Sequence, residues 1–226
     1  MTAGEARKVP PGLAPADGVL PGEPLRPGLR LARLHLASRR VPAALAAVAA
    51  CAVTLRIALH WDWDAYGALQ LPLIFETGCA AAIAVTTASP FGEPERATGR
   101  WLPLLRLGAA LALTAAAAGA LAAAGTGAHL AGGTLEVLRN MAGLTGIGLL
   151  CAVALGGALA WTGPTAYLMI AVYALYTQWH GPALTTPWIW PARPGHDIGA
   201  AICAGLVFAV GIVLITVFGA RDPVGE

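Results

Sequence analysis

Two charged side chains lie inside apolar stretches of the sequence, where charges are rare. Arg56 belongs to the run that begins at Val41, and Glu76 lies near the middle of the next run, after Pro72. An unpaired charge inside a lipid bilayer costs several kcal/mol, so such residues pair with each other or face the interior of a helix bundle. Because only a short loop joins the two runs, we predict an ion pair between Arg56 and Glu76. Two alternatives stay open for Glu76: a role in transport or proton coupling, and a protonated, hydrogen-bonded carboxyl without a specific role.

The sequence carries none of the motifs that would make the chain a catalyst. It has neither GxSxG nor HExxH, and no apolar run holds a pair of glutamates. A Walker A loop needs a lysine followed by Ser or Thr to bind ATP, but Lys8 is the only lysine and Val9 follows it. We therefore predict that the chain is not an enzyme, has no catalytic residue and uses no cofactor.

The residue types that most often bind metals are scattered along the chain. Each of the four cysteines lies alone in a different apolar run, so we expect buried small side chains and neither a zinc nor a redox site. The histidines and aspartates of the predicted outer loops have no metal-ligand spacing, and we expect them to be solvated. Glu136 and Arg139 are three residues apart and are predicted to pair at a helix end.

The composition predicts an all-α integral membrane protein. Charged residues make up 12% of the chain and hydrophobic residues 57%, whereas soluble domains carry about 25% charged residues. A helix needs about 20 apolar residues to cross a bilayer. We predict a bundle of about six transmembrane helices, at about 41–59, 67–88, 103–124, 138–160, 164–179 and 198–219. The fifth run is short, and both a spanning and a re-entrant helix fit it.

The distribution of arginine predicts how the bundle is oriented. Cytoplasmic loops of membrane proteins carry an excess of Lys and Arg. With both termini inside the cell, most basic residues fall on the cytoplasmic side, while Arg139 and Arg193 fall outside. We therefore predict a multi-pass protein of the cell (cytoplasmic) membrane with cytoplasmic N- and C-termini.

The two ends of the chain differ from its apolar centre. Residues 1–28 are rich in Pro, Gly and Ala, which predicts a disordered cytoplasmic tail. In residues 29–40 arginines share one helical face and leucines another, which predicts a basic amphipathic helix in the lipid headgroup plane. A positive flank that merely orients the first span explains the same residues. The transmembrane domain then covers 41–220, and 221–226 form a short cytoplasmic tail.

Two further patterns concern packing and anchoring. Small residues recur at every fourth position in the fourth run: Gly148, Ala152, Gly156 and Ala160. Such a stripe lets helices approach closely, and we expect packing within the subunit first, with a dimer interface as the alternative. Tryptophans in the outer loops are typical of interfacial anchors; they are Trp61, Trp63, Trp188 and Trp190.

The loop that follows the second run, residues 89–106, is the most charged stretch between runs. With the amphipathic N-terminal helix, the six spans and an irregular outer segment before the last span, it resembles the type-2 exporter class of ATP-binding-cassette permeases. The resemblance implies a coupling helix that docks on a separate ATPase subunit through Glu93, Glu95, Arg96, Gly99 and Arg100. It also implies a re-entrant region around Trp188 and Trp190. A solvated positive-inside loop is the alternative for 89–106.

The sequence as a whole predicts the permease subunit of an ATP-driven exporter. Its partners would be membrane lipid, a second permease in a homo- or heterodimer, and an ATP-binding subunit, but not nucleic acid. The resemblance implies small hydrophobic compounds or peptides as the substrate class. Two rival functions stay open: a non-transporting accessory or assembly protein, and an ion-coupled carrier that uses Glu76.

Overall fold

Six α-helices dominate the residues that the computed structural model describes, which are 40–87, 101–127, 133–177 and 187–221. In chain order they are α1 (Val41–Ala58), α2 (Ala65–Val85), α3 (Trp101–Ala124), α4 (Gly133–Leu155), α5 (Thr162–Thr177) and α6 (Ile198–Phe218). Short 3-10 turns, Gly157–Leu159 and Trp190–Ala192, precede α5 and α6, and these described ranges contain no strand. The predicted tail at 1–28, nearly all of 29–40 and the loop residues 89–100 lie outside the described residues.

All six helices are long and apolar enough to cross a membrane, with mean hydropathy between 1.3 and 2.8. The fifth reaches that length together with its preceding 3-10 turn, as the 20-residue span Gly157–Tyr176. The prediction of an all-helical, multi-pass membrane protein is therefore confirmed. The predicted limits of the fourth span are wrong, because α4 begins at Gly133 and not at 138, and ends at Leu155 and not at 160.

The helices alternate in direction, so the bundle has two ends. We call the end at which α1 begins the proximal end, and the end at which α1 finishes the distal end. Asp64 and Asp197 start α2 and α6 at the distal end, where they accept hydrogen bonds from the N–H groups of Gly67 at 2.8 Å and Ala200 at 3.0 Å. Such N-caps satisfy backbone donors that the first turn of a helix leaves open.

The central helix of the bundle is α4, which packs against α2, α3, α5 and α6. Its closest approach is to α6, where Gly146 meets the backbone of Phe208 and Gly211 meets the Gly146 carbonyl. A Cβ atom at Gly146 would lie 2.7 Å from backbone atoms of Phe208, so only glycine allows this approach. The two helices therefore meet backbone to backbone, a contact that small residues make available inside membranes.

The predicted stripe of small residues is only partly the face of one helix. Gly148 packs against Ala84 of α2, and Ala152 is fully buried, so these two members pack within the subunit. Gly156, however, has a φ of 92° and lies beyond the last residue of α4. Ala160 consequently belongs to the turn before α5. The four-residue spacing continues past the point at which a glycine in a non-helical conformation ends the helix.

Gly146→Ala should lower the midpoint of thermal unfolding of the detergent-purified protein by about 2–12 °C, because overpacking a tight contact costs about 1–3 kcal/mol. Gly205→Ala is the matched control, since a Cβ at this exposed position of α6 meets nothing within 4 Å. Its midpoint should stay the same or rise slightly. Equal midpoints for the two variants would contradict the close contact of α4 with α6.

Candidate functional site

Glu76 is a buried carboxyl near the middle of α2. It is 1% exposed, and its Oε2 atom has no hydrogen-bond partner among the described residues. The groups that face it come from α4: the Asn140 side chain is within hydrogen-bonding reach, and Glu136 and Arg139 act on it through their charges. A carboxylate without enough donors in a bundle interior is expensive, so this position suits a carboxyl that holds a proton or a cation.

Arg139 ties α4 to the chain that precedes α6. Its buried guanidinium donates to two backbone carbonyls, from Nη1 to Pro194 at 2.8 Å and from Nη2 to Arg193 at 3.0 Å. Its Nε donates to Oδ1 of Asn140 at 3.5 Å, and Nη2 lies 3.9 Å from the Glu136 carboxylate. The short bonds of Arg139 therefore go to the backbone, while its charge acts on nearby glutamates.

The buried charges do not balance. One guanidinium, that of Arg139, faces the carboxyls of Glu76 and Glu136, while the third carboxylate near it, that of Asp197, is already paired with Arg193. We call these three residues and Asn140 the buried charge cluster. With both carboxyls ionised the cluster has one negative charge in excess, and an interior of low dielectric constant penalises that excess heavily. The cluster becomes neutral when one carboxyl holds a proton or when a monovalent cation binds.

Residues 187–197, which precede α6, pack into the bundle, and we call them the re-entrant segment. The Trp190 indole lies on α4 at Gly143, where a Cβ atom would clash with the ring, and Trp190 is only 2% exposed. Tyr167 of α5 stacks on this ring with centroids 4.6 Å apart, and its hydroxyl donates to the Trp188 carbonyl at 2.7 Å. Gly143 is one helical turn deeper than Arg139, so the two residues hold the segment at two depths.

An ion pair closes the end of the re-entrant segment. The Arg193 atoms Nε and Nη2 both bind Oδ2 of Asp197, at 2.6 and 2.5 Å. The N–H of Ala200 and the Arg193 guanidinium hold the pKa of the Asp197 carboxyl below its usual value. The Asp197 carboxyl is therefore ionised at neutral pH, and its pair with the Arg193 guanidinium adds no net charge to the site.

A cavity of about 600 Å³ lies at the distal end, between the re-entrant segment and three helices. Leu69 of α2, Glu136 of α4 and Leu175 of α5 line it, together with residues 191–196. Its volume falls within the range of small-molecule sites, about 300–1,000 Å³. Glu136 connects the cavity with the buried charge cluster, because it lines the cavity and also faces Arg139.

The predicted ion pair between Arg56 and Glu76 does not form. Nη1 of Arg56 donates instead to the carbonyl oxygens of Thr126 at 2.5 Å and Ala124 at 3.3 Å. These carbonyls lie at and just beyond the end of α3, where a helix leaves acceptors without intrahelical partners. Arg56 belongs to the last turn of α1 and reaches the distal end, whereas Glu76 lies deeper and faces α4.

Three of the four predicted tryptophan anchors are exposed, as side chains at a membrane surface are; Trp61 is 66%, Trp63 44% and Trp188 49% exposed. Trp190 is the exception and is a core residue, so its assignment as an interfacial anchor is wrong. The physical reason is Gly143, whose missing side chain leaves room for the indole against α4.

The proposed coupling residues Glu93, Glu95, Arg96, Gly99 and Arg100 lie outside the described residues. In the part of the chain that is described, no group of three or more His, Cys, Asp or Glu side chains could hold a metal ion.

The role of Arg139 and the contributions of Asn140 and Tyr167 were not predicted from the sequence. A span predicted to start at 138 places Arg139 at a helix end, but α4 starts at Gly133, before Arg139, and buries that side chain. The adjacent Arg and Asn within an apolar run are the signal that could have revealed this site. Tyr167 carries no such signal, because its partner is a backbone carbonyl from a segment distant in sequence.

No family model, no curated protein and no solved structure matches this chain. The resemblance to exporter permeases therefore stays a prediction. Function has to be argued from the site itself.

Arg139→Met should lower the free energy of unfolding by about 3–5 kcal/mol, because removing one partner of a buried ionic group leaves the others uncompensated. Arg139→Lys should fall between Met and wild type, since an ammonium keeps the charge but lacks the planar fork that reaches two carbonyls. Thermal unfolding in detergent measures both variants. Adding Glu136→Gln to Arg139→Met should recover part of the loss; strictly additive losses would contradict the coupling of the two side chains.

Proposed function

We propose that this chain is the membrane-spanning subunit of a transporter whose solute pathway includes the distal cavity. One observation supports the proposal above the others: a cavity of small-molecule size lies beside a buried charge cluster in a bundle of six membrane-length helices. Ionisable residues inside such bundles are costly and commonly mark substrate or ion pathways. A protein whose spans served only to contact neighbours would gain nothing from that cost.

The energy source that we propose first is ATP hydrolysed by a separate subunit. The re-entrant segment supports it, because the exporter class that the sequence resembles has a re-entrant region at the same place, before the last span. In this arrangement the protein lies in the cytoplasmic membrane with both termini in the cytoplasm. Residues 93–100 contact the ATPase, and two permease subunits, identical or different, form the pathway.

A second candidate is a carrier driven by a proton or cation gradient. The Oε2 atom of Glu76 favours it, since this buried atom lacks a partner among the described residues and can accept one positive charge. Binding that charge neutralises the buried charge cluster, and losing it leaves Arg139 facing two carboxylates. The two states differ in electrostatic free energy, so an ion gradient can shift their populations.

The two energy sources predict different effects for three variants. An exporter subunit purified in mild detergent should retain a nucleotide-binding partner, and Glu95→Lys or Arg96→Glu should release it while Glu76→Gln retains it. A carrier reconstituted alone in liposomes should take up protons from an imposed gradient, followed with an internal pH dye. Glu76→Gln should abolish this uptake, and Glu95→Lys should leave it unchanged.

Partner release by the loop variants without proton uptake supports the ATP-driven exporter. The reverse pattern supports the ion-coupled carrier. A chain that retains no nucleotide-binding partner and, in the same liposomes, moves neither protons nor alkali cations would contradict both and favour an accessory protein.

A further inference from the structure

Apolar side chains form much of the wall of the distal cavity. Leu69, Leu135 and Leu175 contribute from three different helices, and Pro191 and Ala192 contribute from the re-entrant segment. Removing hydrocarbon from water is favourable, so a wall of this kind selects a ligand with an apolar part. A bare or hydrated metal ion would make no use of these side chains.

Among the ionisable side chains of the wall, the single carboxyl favours a positive ligand. These side chains are Glu136, Arg193 and His196. Arg193 is already neutralised, because two of its nitrogens bind Asp197 at 2.6 and 2.5 Å. Glu136 has Arg139 as its cationic neighbour, at 3.9 Å, and that guanidinium directs its short bonds to backbone carbonyls. The carboxyl in the wall is therefore incompletely compensated, so it attracts cations and repels anions.

Glu76 adds to this preference from behind the wall. It is almost completely buried, and its Oε2 atom has no partner among the described residues. The buried charge cluster therefore has room for one further positive charge. A neutral ligand would not correct the excess of negative charge, whereas an organic ammonium brings both the charge and a hydrocarbon part.

We infer that the distal cavity binds a small alkylammonium ion, with its positive group against the Glu136 carboxylate and its hydrocarbon part against Leu69 and Leu175. The inference rests on the proposed transport function and deepens it by naming the chemical class of the solute. The cavity volume of about 600 Å³ is ample for such an ion. The ammonium supplies the charge that the cluster lacks, through a charge-assisted hydrogen bond.

The test uses n-butylammonium together with n-butanol and butyrate, which have the same chain length and different charge. Isothermal titration calorimetry of the full-length protein in detergent, at constant ionic strength, should detect binding of the ammonium only. Glu136→Gln should weaken binding about tenfold or more, the loss expected for one charge-assisted bond. Asp62→Asn is the matched control and should bind normally, because Asp62 is an exposed carboxyl of the same end that does not line the cavity.

A second variant keeps the test valid if Glu136→Gln does not fold. Leu69→Trp fills the cavity without changing any charge, and it should also weaken binding of butylammonium. Equal binding of butanol or butyrate, normal binding by both Glu136→Gln and Leu69→Trp, or no binding of the ammonium by the wild type overturns the inference. So does full displacement of the ammonium by sodium at equal concentration.

The butylammonium binding test and the tests of the transport proposal can fail independently of each other. Partner retention and proton uptake are measured without butylammonium, so either can persist when ammonium binding fails, and then only the solute class is wrong. If the ammonium binds and neither transport measurement succeeds, the cavity is a binding site without the proposed transport.

Discussion

The cost of a charge inside a membrane bundle is the constraint on which this structure depends. An arginine keeps its charge, so the buried Arg139 must find acceptors where water is scarce. Helical carbonyls are already used within their own helices, whereas the irregular backbone offers the Arg193 carbonyl and a second lone pair on the Pro194 carbonyl, which also accepts the Asp197 N–H at 3.0 Å. Irregular backbone at membrane depth is tolerated only where protein buries it or where it lines a cavity. The re-entrant segment satisfies both conditions, and the distal cavity lies beside it.

Glycines determine how closely α4 packs against α6 and against the re-entrant segment, and so where Arg139 finds its acceptors. Gly146 and Gly211 bring α4 and α6 into backbone contact, and Gly143 admits the Trp190 ring between α4 and α5. Lipid is as apolar as leucine, so packing and hydrogen bonds, and not water exclusion, hold such helices together. The rigid contact of α4 with α6 keeps Arg139 beside the segment, which in turn leaves Glu136 at the cavity wall and Glu76 behind it.

Much of the fold could be predicted from the sequence, because apolar runs of membrane length dominate it. Partners across the bundle could not be predicted in the same way. Arg56 and Glu76 are close in sequence and of opposite charge, yet the carbonyls at the end of α3 and the side chains of α4 are nearer to them in space. Trp190 looks like a surface anchor from its neighbours in sequence, and only the facing Gly143 makes it a core residue. In each case the deciding group lies far away in the sequence, so it leaves no pattern near the residue that it controls.

The protonation state of Glu76 decides whether the buried charge cluster carries an excess negative charge. A hydrophobic carbodiimide, dicyclohexylcarbodiimide, modifies carboxyls that are protonated in apolar surroundings, and peptide mass spectrometry locates the product. In buffer free of alkali cations, Glu76 of the folded protein should be modified near neutral pH, because no cation is then present to replace its proton. A folded protein in which Glu76 stays unmodified, with or without alkali cations, would contradict the shortage of positive charge on which the proposed cation site depends.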